Sequence, residues 1–137
     1  MKTTKIFIVL AFISLTFSSF TYQEKIRIEK MTFHFVDLGI ETPFQISCSK
    51  FETFFLSNYK TLTIKDSNEL KEFANYLKKY NELGYAKDID VRLKIIITYA
   101  NQKKTVLCMD KFYHLFLNNK SISIDQNIID FIIRHIN

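Results

Sequence analysis

Residues 89–110 read IDVRLKIIITYANQKKTVLCMD, and their pattern indicates the architecture of the whole domain. Apolar and polar side chains alternate along the first half, as they do in a strand that buries one face. Residues 100–103 supply a polar bend, and a second apolar run follows. The segment therefore predicts an antiparallel hairpin whose first strand directs one set of side chains into the core: Val91, Leu93, Ile95, Ile97 and Tyr99.

The length of the bend determines which face of this hairpin carries Cys108. A loop of two or four residues sets Ile97 against Val106 and Ile95 against Cys108, which places the cysteine on the core face. A loop of three or five residues moves it to the opposite face, because side chains alternate along a strand. We expect the even-numbered loop, with Cys108 on the same face as Ile95.

Further strands are predicted on both sides of the hairpin. Alternation over residues 25–35, with a change of phase at Glu29-Lys30, indicates a bulged first strand. Residues 44–48 and 59–65 predict two more short strands. Residues 112–117 are apolar on both faces, which suits a strand covered on both sides, and they complete a C-terminal meander of three strands.

Three segments carry helix signals. Ser49 and Glu52 form a capping box ahead of a short helix, and residues 66–69 begin a longer one that Gly84 can terminate. Residues 123–126 cap a last helix, whose predicted buried stripe is Ile128, Ile129, Ile132, Ile133 and Ile136. The predicted fold class is α+β, with a mainly antiparallel sheet, a C-terminal meander and two to three helices packed on one face.

The N-terminus has the pattern of an export signal. Lys2 and Lys5 precede the uncharged run IFIVLAFISLTF at residues 6–17, and small polar residues follow before Glu24. This run of 12 residues is shorter than the roughly 20 that a membrane-spanning helix requires. We therefore predict a cleaved signal peptide over residues 1–23 and one compact domain over residues 24–137, located in the periplasm or secreted. An uncleaved N-terminal anchor is the alternative.

The charge of the predicted mature domain argues against a nucleic-acid partner. The chain has 19 Lys and Arg and 14 Asp and Glu, so loss of Lys2 and Lys5 leaves 17 against 14, a net charge of +3. No run of like charge exceeds two residues, whereas a surface that follows phosphates needs a basic stripe. No membrane-spanning segment is expected in the mature chain.

The two cysteines of the chain, Cys48 and Cys108, predict a disulfide. A small exported domain meets oxidising surroundings, where two cysteines at strand positions pair readily. The alternative is a pair of buried thiols that act as small apolar residues. The chain has no CxxC motif, which argues against a role in redox catalysis.

Candidate catalytic groups are few. His34 with Asp37, or His114 with Asp110, could form the acid–base pair of a small hydrolase if the side chains approach within about 3 Å. The histidine spacings match no metal-binding motif, so no metal or cofactor is predicted. Asp88 and Asp90 are expected in a solvated loop.

Aromatic residues are the least ordinary feature of the composition, at 15% of the chain. Most are expected in the core, but exposed aromatics favour binding. The candidate binding patch consists of Phe51, Phe54, Phe55, Tyr59 and Tyr113. Since catalytic motifs are missing, the sequence favours an exported, non-enzymatic domain that binds a protein partner, as an inhibitor or protective protein does. A hydrolase that uses a His/Asp pair and a structural envelope component are the alternatives.

Overall fold

The computed structural model describes residues 27–85, 89–123 and 125–137. The predicted signal peptide, Asp88 and Ile124 lie outside these residues. The strands are β1 (Ile28–Phe35), β2 (Lys60–Ile64), β3 (Asn81–Tyr85), β4 (Val91–Tyr99), β5 (Lys104–Asp110), β6 (Leu115–Leu117) and β7 (Lys120–Ser123). The helices are a 3-10 turn (Cys48–Lys50), α1 (Phe51–Phe55), α2 (Ser67–Leu77) and α3 (Gln126–Ile136).

All seven strands form one antiparallel sheet in the order β2-β1-β4-β5-β6-β7-β3. Together with the helices, this confirms the α+β class. β1 has the predicted bulge, because its register with β4 shifts between Ile28 and Lys30. In the described part of the chain, no helix is long and apolar enough to cross a bilayer.

The C-terminal meander has four strands rather than three. β6 covers only Leu115–Leu117, and Asn118 and Asn119 then turn the chain directly into β7. Both asparagines have positive φ, 47° and 66°, which is the backbone that a two-residue type I′ hairpin requires. The prediction of one longer strand at 112–117 was therefore wrong at its start, and β7 was not predicted.

β7 in turn pairs with β3, another strand that the sequence pattern did not reveal. The helix expected to run toward Gly84 ends at Leu77. Gly84 lies instead in β3, with a φ of 110°, at a register shift between Glu82 and Gly84. Glycine suits such a position because it has no Cβ to strain this backbone.

The predicted hairpin register was wrong by one residue. Thr98 pairs with Lys104 and Lys94 pairs with Cys108, so five residues, 99–103, lie between the paired residues Thr98 and Lys104. The Tyr99 N–H donates to the Lys103 carbonyl at 3.0 Å and closes this loop. Cys108 consequently faces away from Ile95, although it is fully buried.

One face of the sheet, here called the helix face, is covered by α2 and α3. Asp66 caps α2 as predicted and accepts bonds from the N–H groups of Asn68 and Glu69. Asp125 caps α3. The core on this face includes Met31, Phe33, Leu93, Ile95, Ile97, Leu107, Met109, Phe73, Ile128, Phe131 and Ile132. Phe131 was missing from the predicted stripe, whereas Ile129, Ile133 and Ile136 are only half-buried.

The opposite face, here called the second face, is covered by the long connection between β1 and β2. Residues 44–48 form no strand; they lead into the 3-10 turn and α1. The Ser49–Glu52 capping box is also absent, because α1 starts without a side-chain cap and Glu52 turns toward the sheet. A second core results, built from Val36, Ile46, Cys48, Phe51, Phe55, Val91, Cys108 and Phe116.

The disulfide joins this covering connection to the sheet. Cys48 bonds to Cys108 across 60 positions of sequence, with Cα atoms 6.1 Å apart, which confirms the predicted pairing. It links the 3-10 turn to the middle of β5, inside the second core. The connection between β1 and β2 is thereby fixed over the sheet near its centre.

Candidate functional site

A buried arginine fixes the loop that leaves β1 at residues 36–47. Arg92 has no exposed surface, and its Nε donates to the Ile40 carbonyl at 3.1 Å. Its Nη1 and Nη2 donate to the two carboxylate oxygens of Asp90, at 2.6 and 2.8 Å. Nη2 also donates to the Thr42 hydroxyl at 3.0 Å. An arginine fork satisfied in this way holds the loop backbone in one place.

Asp90 completes this attachment from the other side. Its Oδ1 accepts a bond from the Ile46 N–H at 3.1 Å, and the Val91 N–H donates to the Ile46 carbonyl at 2.8 Å. Burial by itself raises the pKa of Asp90, but the hydrogen bonds from Arg92 and the Ile46 N–H outweigh it and hold the pKa below its ordinary value. Asp90 was expected in a solvated loop, and it is instead the anchor of residues 36–47.

A second fixed loop connects β5 to β6 at residues 110–114. Oδ1 of Asp110 accepts bonds from the N–H groups of Phe112 and His114, at 2.8 and 2.9 Å. The Tyr113 N–H donates to the Asp110 carbonyl at 3.2 Å. Tyr113 has a φ of 67°, a backbone that costs a residue with a Cβ about 1 kcal/mol or more. The bonds to Asp110 hold this strained turn.

The two loops lie side by side at one end of the sheet. Val91 pairs with Asp110, and Lys111 Nζ lies 3.8 Å from a carboxylate oxygen of Glu41. Between them the loops expose four large apolar side chains, and these define what is here called the aromatic-loop surface: Ile40 (40% exposed), Phe44 (60%), Phe112 (64%) and Tyr113 (44%). Exposed apolar residues grouped in this way are typical of binding surfaces.

The aromatic-loop surface continues into a groove against α3. Phe112 and Tyr113 line it from the loop, and α3 lines it with Ile129 and Ile133 together with the polar residues Gln126, Asp130 and Arg134. The groove has a volume of about 660 Å³. This mixed apolar and polar groove extends the surface available to a partner beyond the two loops.

The structure divides the predicted patch residues between core and surface. Phe51 and Phe55 are buried in the second core, Phe54 and Tyr59 are half-buried, and Tyr113 is exposed. Phe54 connects the two environments, since its ring lies 5.2 Å from that of Phe44 in an edge-on contact. Sequence reasoning did not include Ile40, Phe44 and Phe112 in the patch.

Two sequence signals could have indicated the omitted residues. Phe44 directly follows Pro43, the one proline of the chain. Because proline is disfavoured inside strands, it indicates a loop at this point rather than a strand. Phe112 lies two residues after Asp110, and an aspartate commonly accepts a bond from the backbone two residues later in a turn. Both aromatics therefore stand in positions where loops, which lie at the surface, are expected.

The two histidines with candidate catalytic roles differ in their partners. His114 Nδ1 lies 2.8 Å from Asp110 Oδ2, so this predicted pair is formed. His34 does not meet Asp37, whose carboxylate accepts a bond from the Gly39 N–H at 2.8 Å. Its Nδ1 lies instead 3.2 Å from Glu52 Oε1 on the second face. Of the two proposed dyads, only Asp110–His114 has the required geometry.

Glu52 joins three elements of the second face. Its Oε2 accepts a bond from Lys94 Nζ at 2.8 Å, while Oε1 faces His34. The ring of Tyr59 lies 4.9 Å from the His34 ring. Burial raises the pKa of Glu52, but the hydrogen bonds from Lys94 and His34, with one from its own backbone, lower it below the ordinary value. The cluster satisfies its own charges and stabilises the position of α1.

Within residues 27–85, 89–123 and 125–137, no group of three or more His, Cys, Asp and Glu side chains is placed to hold a metal ion. Comparison with protein-family models, with curated proteins and with solved structures finds no match to this chain.

Proposed function

We propose that this protein is a small exported domain that catalyses no reaction and binds a protein partner through the aromatic-loop surface. The observation that carries the proposal is the exposure of Phe44, Phe112 and Tyr113 on two loops that the fold holds in place. Large rigid aromatic side chains supply most of the energy of many protein interfaces. A protein that inhibits or protects by binding needs such a surface and no catalytic group.

The attachment of both loops supports this interpretation. A mobile loop loses conformational entropy when a partner orders it, and a fixed loop avoids most of that cost. Arg92 and Asp90 hold the first loop, while Asp110 holds the second through three hydrogen bonds. A binding role also accounts for the strained backbone at Tyr113, because this turn exposes the neighbouring rings of Phe112 and Tyr113 to solvent.

Export is the second part of the proposal. It is supported by the N-terminal pattern of residues 1–23 and by the disulfide, which persists in oxidising compartments. Intact mass spectrometry of native protein tests it. Export predicts a chain that begins between Ser19 and Glu24 and resists alkylation until it is reduced. A chain that begins at Met1 and has two alkylated thiols contradicts it.

Site-specific photo-crosslinking tests the binding surface. A photoreactive phenylalanine analogue is placed at Phe44, at Phe112 or at Leu83, and the protein is expressed in the cells that normally export it. Leu83 is a matched control, since it is 65% exposed but lies in the edge strand β3. The proposal predicts one shared crosslinked product for Phe44 and Phe112 and none of that mass for Leu83. Equal yields at all three positions, or no product, would overturn it.

A second pair of variants tests whether the crosslinked partner depends on the aromatic rings. Phe44→Ser combined with Phe112→Ser removes two exposed rings and should abolish recovery of that partner, whereas Leu83→Ser should leave it unchanged. Melting temperatures of both variants should stay close to that of the parent, because all three side chains are more than half exposed, although the double variant loses the edge-on contact between Phe44 and Phe54. Undiminished recovery by the double variant contradicts the proposed surface.

A hydrolase remains the second candidate, and the Asp110–His114 pair is the observation that favours it. A carboxylate that accepts from Nδ1 leaves Nε2 free to act as a base, and the His114 side chain is 67% exposed. The test is hydrolysis of ester and peptide substrates by the parent and by His114→Gln. Activity that disappears in His114→Gln while the crosslink of Phe112 persists would assign catalysis to the pair.

A further inference from the structure

A separate groove lies on the helix face, where the end of α2 meets the β4–β5 turn. Its floor consists of Ile28, Ala74 and Leu77, and the rings of Tyr80 and Tyr99 extend it. Its volume is about 450 Å³, within the range of small-molecule sites. The floor side chains all belong to the main core or pack against it, so the groove has a firm base.

Three lysines line the groove beside this apolar floor: Lys78 directly after α2, Lys103 in the β4–β5 turn and Lys104 at the start of β5. All three are exposed. Among the residues that the structure describes, none of them forms a salt bridge; Lys78 Nζ donates only to the Asn75 side-chain oxygen, at 3.3 Å. Glu29, the acid next to Ile28, does not line the groove, and its carboxylate accepts a bond from the Gln102 side chain.

The backbone fixes the lysines around the floor. Ile28 pairs with Tyr99, and the Ala100 N–H donates to the Arg27 carbonyl at 2.9 Å, so the turn is attached to the start of β1. The Tyr99 N–H donates to the Lys103 carbonyl and closes the loop. This bond holds Lys103, and with it the neighbouring Lys104, close to Tyr99. The position of Lys78 has an ordinary explanation, because a positive charge is favourable near the carbonyl end of any helix. Lys103 and Lys104 lie at no helix end, and they place two further positive charges beside the apolar groove.

We infer that this groove binds a single anionic amphiphile, a molecule with an apolar body and one anionic group. The floor provides contact for the body, and the lysines provide uncompensated positive charge for the anion. The limited volume of about 450 Å³ favours one small molecule over an extended membrane surface. The rings of Tyr80 and Tyr99 add apolar contact together with hydroxyl groups at the rim. This site is distinct from the aromatic-loop surface and does not depend on the function proposed for it.

The experiment is calorimetric titration of the processed, disulfide-bonded protein with two probes that share one alkyl chain, dodecanoate and dodecyltrimethylammonium, both below their micelle concentrations. We expect dodecanoate to bind at least tenfold more tightly than dodecyltrimethylammonium. Hexaglutamate, which has charge without an apolar body, should not bind. If the cationic probe binds equally well, or if hexaglutamate binds as tightly as dodecanoate, the inference is wrong.

Variants locate the site. Lys103→Gln with Lys104→Gln should weaken dodecanoate binding about tenfold, because two exposed charge contacts are lost. The matched control, Lys60→Gln with Lys65→Gln, removes two exposed lysines at the β2 edge and should change the affinity less than twofold. Thr105→Trp fills the groove from a lining strand position and should abolish binding while the melting temperature stays near that of the parent. Unchanged affinity in either groove variant overturns the inference, as does binding to phosphatidylglycerol vesicles without binding to dodecanoate.

Discussion

Arg92 and Asp90 lie two residues apart and form a two-point ion pair, with Nη1–Oδ1 and Nη2–Oδ2 distances of 2.6 and 2.8 Å. The arginine has no exposed surface, while the aspartate side chain is 19% exposed. A buried charge of this kind is tolerated because the guanidinium group has a counterion and its nitrogens all donate hydrogen bonds. No buried side-chain nitrogen or oxygen in the described residues lacks a hydrogen-bond partner.

Asp90→Asn should destabilise the protein by about 3 kcal/mol, because it leaves the Arg92 charge buried without a counterion. Urea unfolding at pH 7 measures this change. Asp37→Asn is the matched control: Asp37 is an exposed carboxylate in the connection that Asp90 anchors, and asparagine can still accept from the Gly39 N–H. The control should stay within about 0.5 kcal/mol of the parent. Equal effects of the two substitutions would mean that the ion pair adds no stability.

Replacement of both cysteines should lower stability by about 4 kcal/mol, since the disulfide closes a connection of roughly 60 residues in the unfolded chain. The measurement is urea unfolding of the parent and of Cys48→Ala with Cys108→Ala. Reduction of the parent with dithiothreitol should produce nearly the same loss, which separates the crosslink from the packing of the two side chains. A reduced parent that keeps its full stability contradicts this prediction.

Stability should fall in acid, because Glu52 and Asp90 both have lowered pKa values in the folded protein. Burial by itself would raise these pKa values, but hydrogen bonds outweigh it and hold the pKa of Glu52 below 4.5 and that of Asp90 below 3.8. Above those values both groups are ionised in the folded and unfolded states, and their stabilisation is complete. As the pH decreases, the unfolded chain takes up protons first, and the stabilisation is lost as the pH passes through the lower folded-state pKa values.

Glu52→Gln tests this acid dependence. It should lower the free energy of unfolding by about 1 kcal/mol at pH 7, because Lys94 loses a partially screened charge partner. The difference from the parent should shrink as the pH falls through the folded-state pKa of Glu52, which lies below 4.5, because the parent's own carboxylate is then protonated. Unfolding curves at several pH values between 7 and 2 measure it. A difference that does not change with pH would show that packing, rather than charge, is responsible.

Phe131→Ala should cost about 3 to 4 kcal/mol, since the ring is buried between α2 and α3 and lies 5.3 Å from the Phe73 ring. Ile129→Ala is the comparison, because Ile129 belonged to the predicted stripe but is only half-buried. It should cost about half as much or less. Thermal or urea unfolding ranks the two variants, and a larger effect for Ile129→Ala would contradict the observed orientation of α3.

Local signals in the sequence were sufficient for much of the fold. The alternating pattern of residues 91–99 indicated β4, and the phase change at Glu29-Lys30 indicated the bulge in β1. Asp66 indicated the start of α2 because its cap depends only on neighbouring N–H groups. The pairing of Cys48 with Cys108 followed from the presence of only two cysteines in the chain.

Contacts between distant residues decided the remaining features. β5 is apolar on both faces, with Val106 and Cys108 on one and Leu107 and Met109 on the other, so its own pattern could not show which face would carry Cys108. The pairing of Thr98 with Lys104 placed it on the second face. The candidate site depends on the same kind of contact. Phe51 and Phe55 are buried and Phe44 is exposed because residues 36–59 fold over the sheet and Arg92 holds their start. The sequence pattern shows which side chains are apolar. Whether another part of the protein covers such a side chain depends on residues far away in the chain.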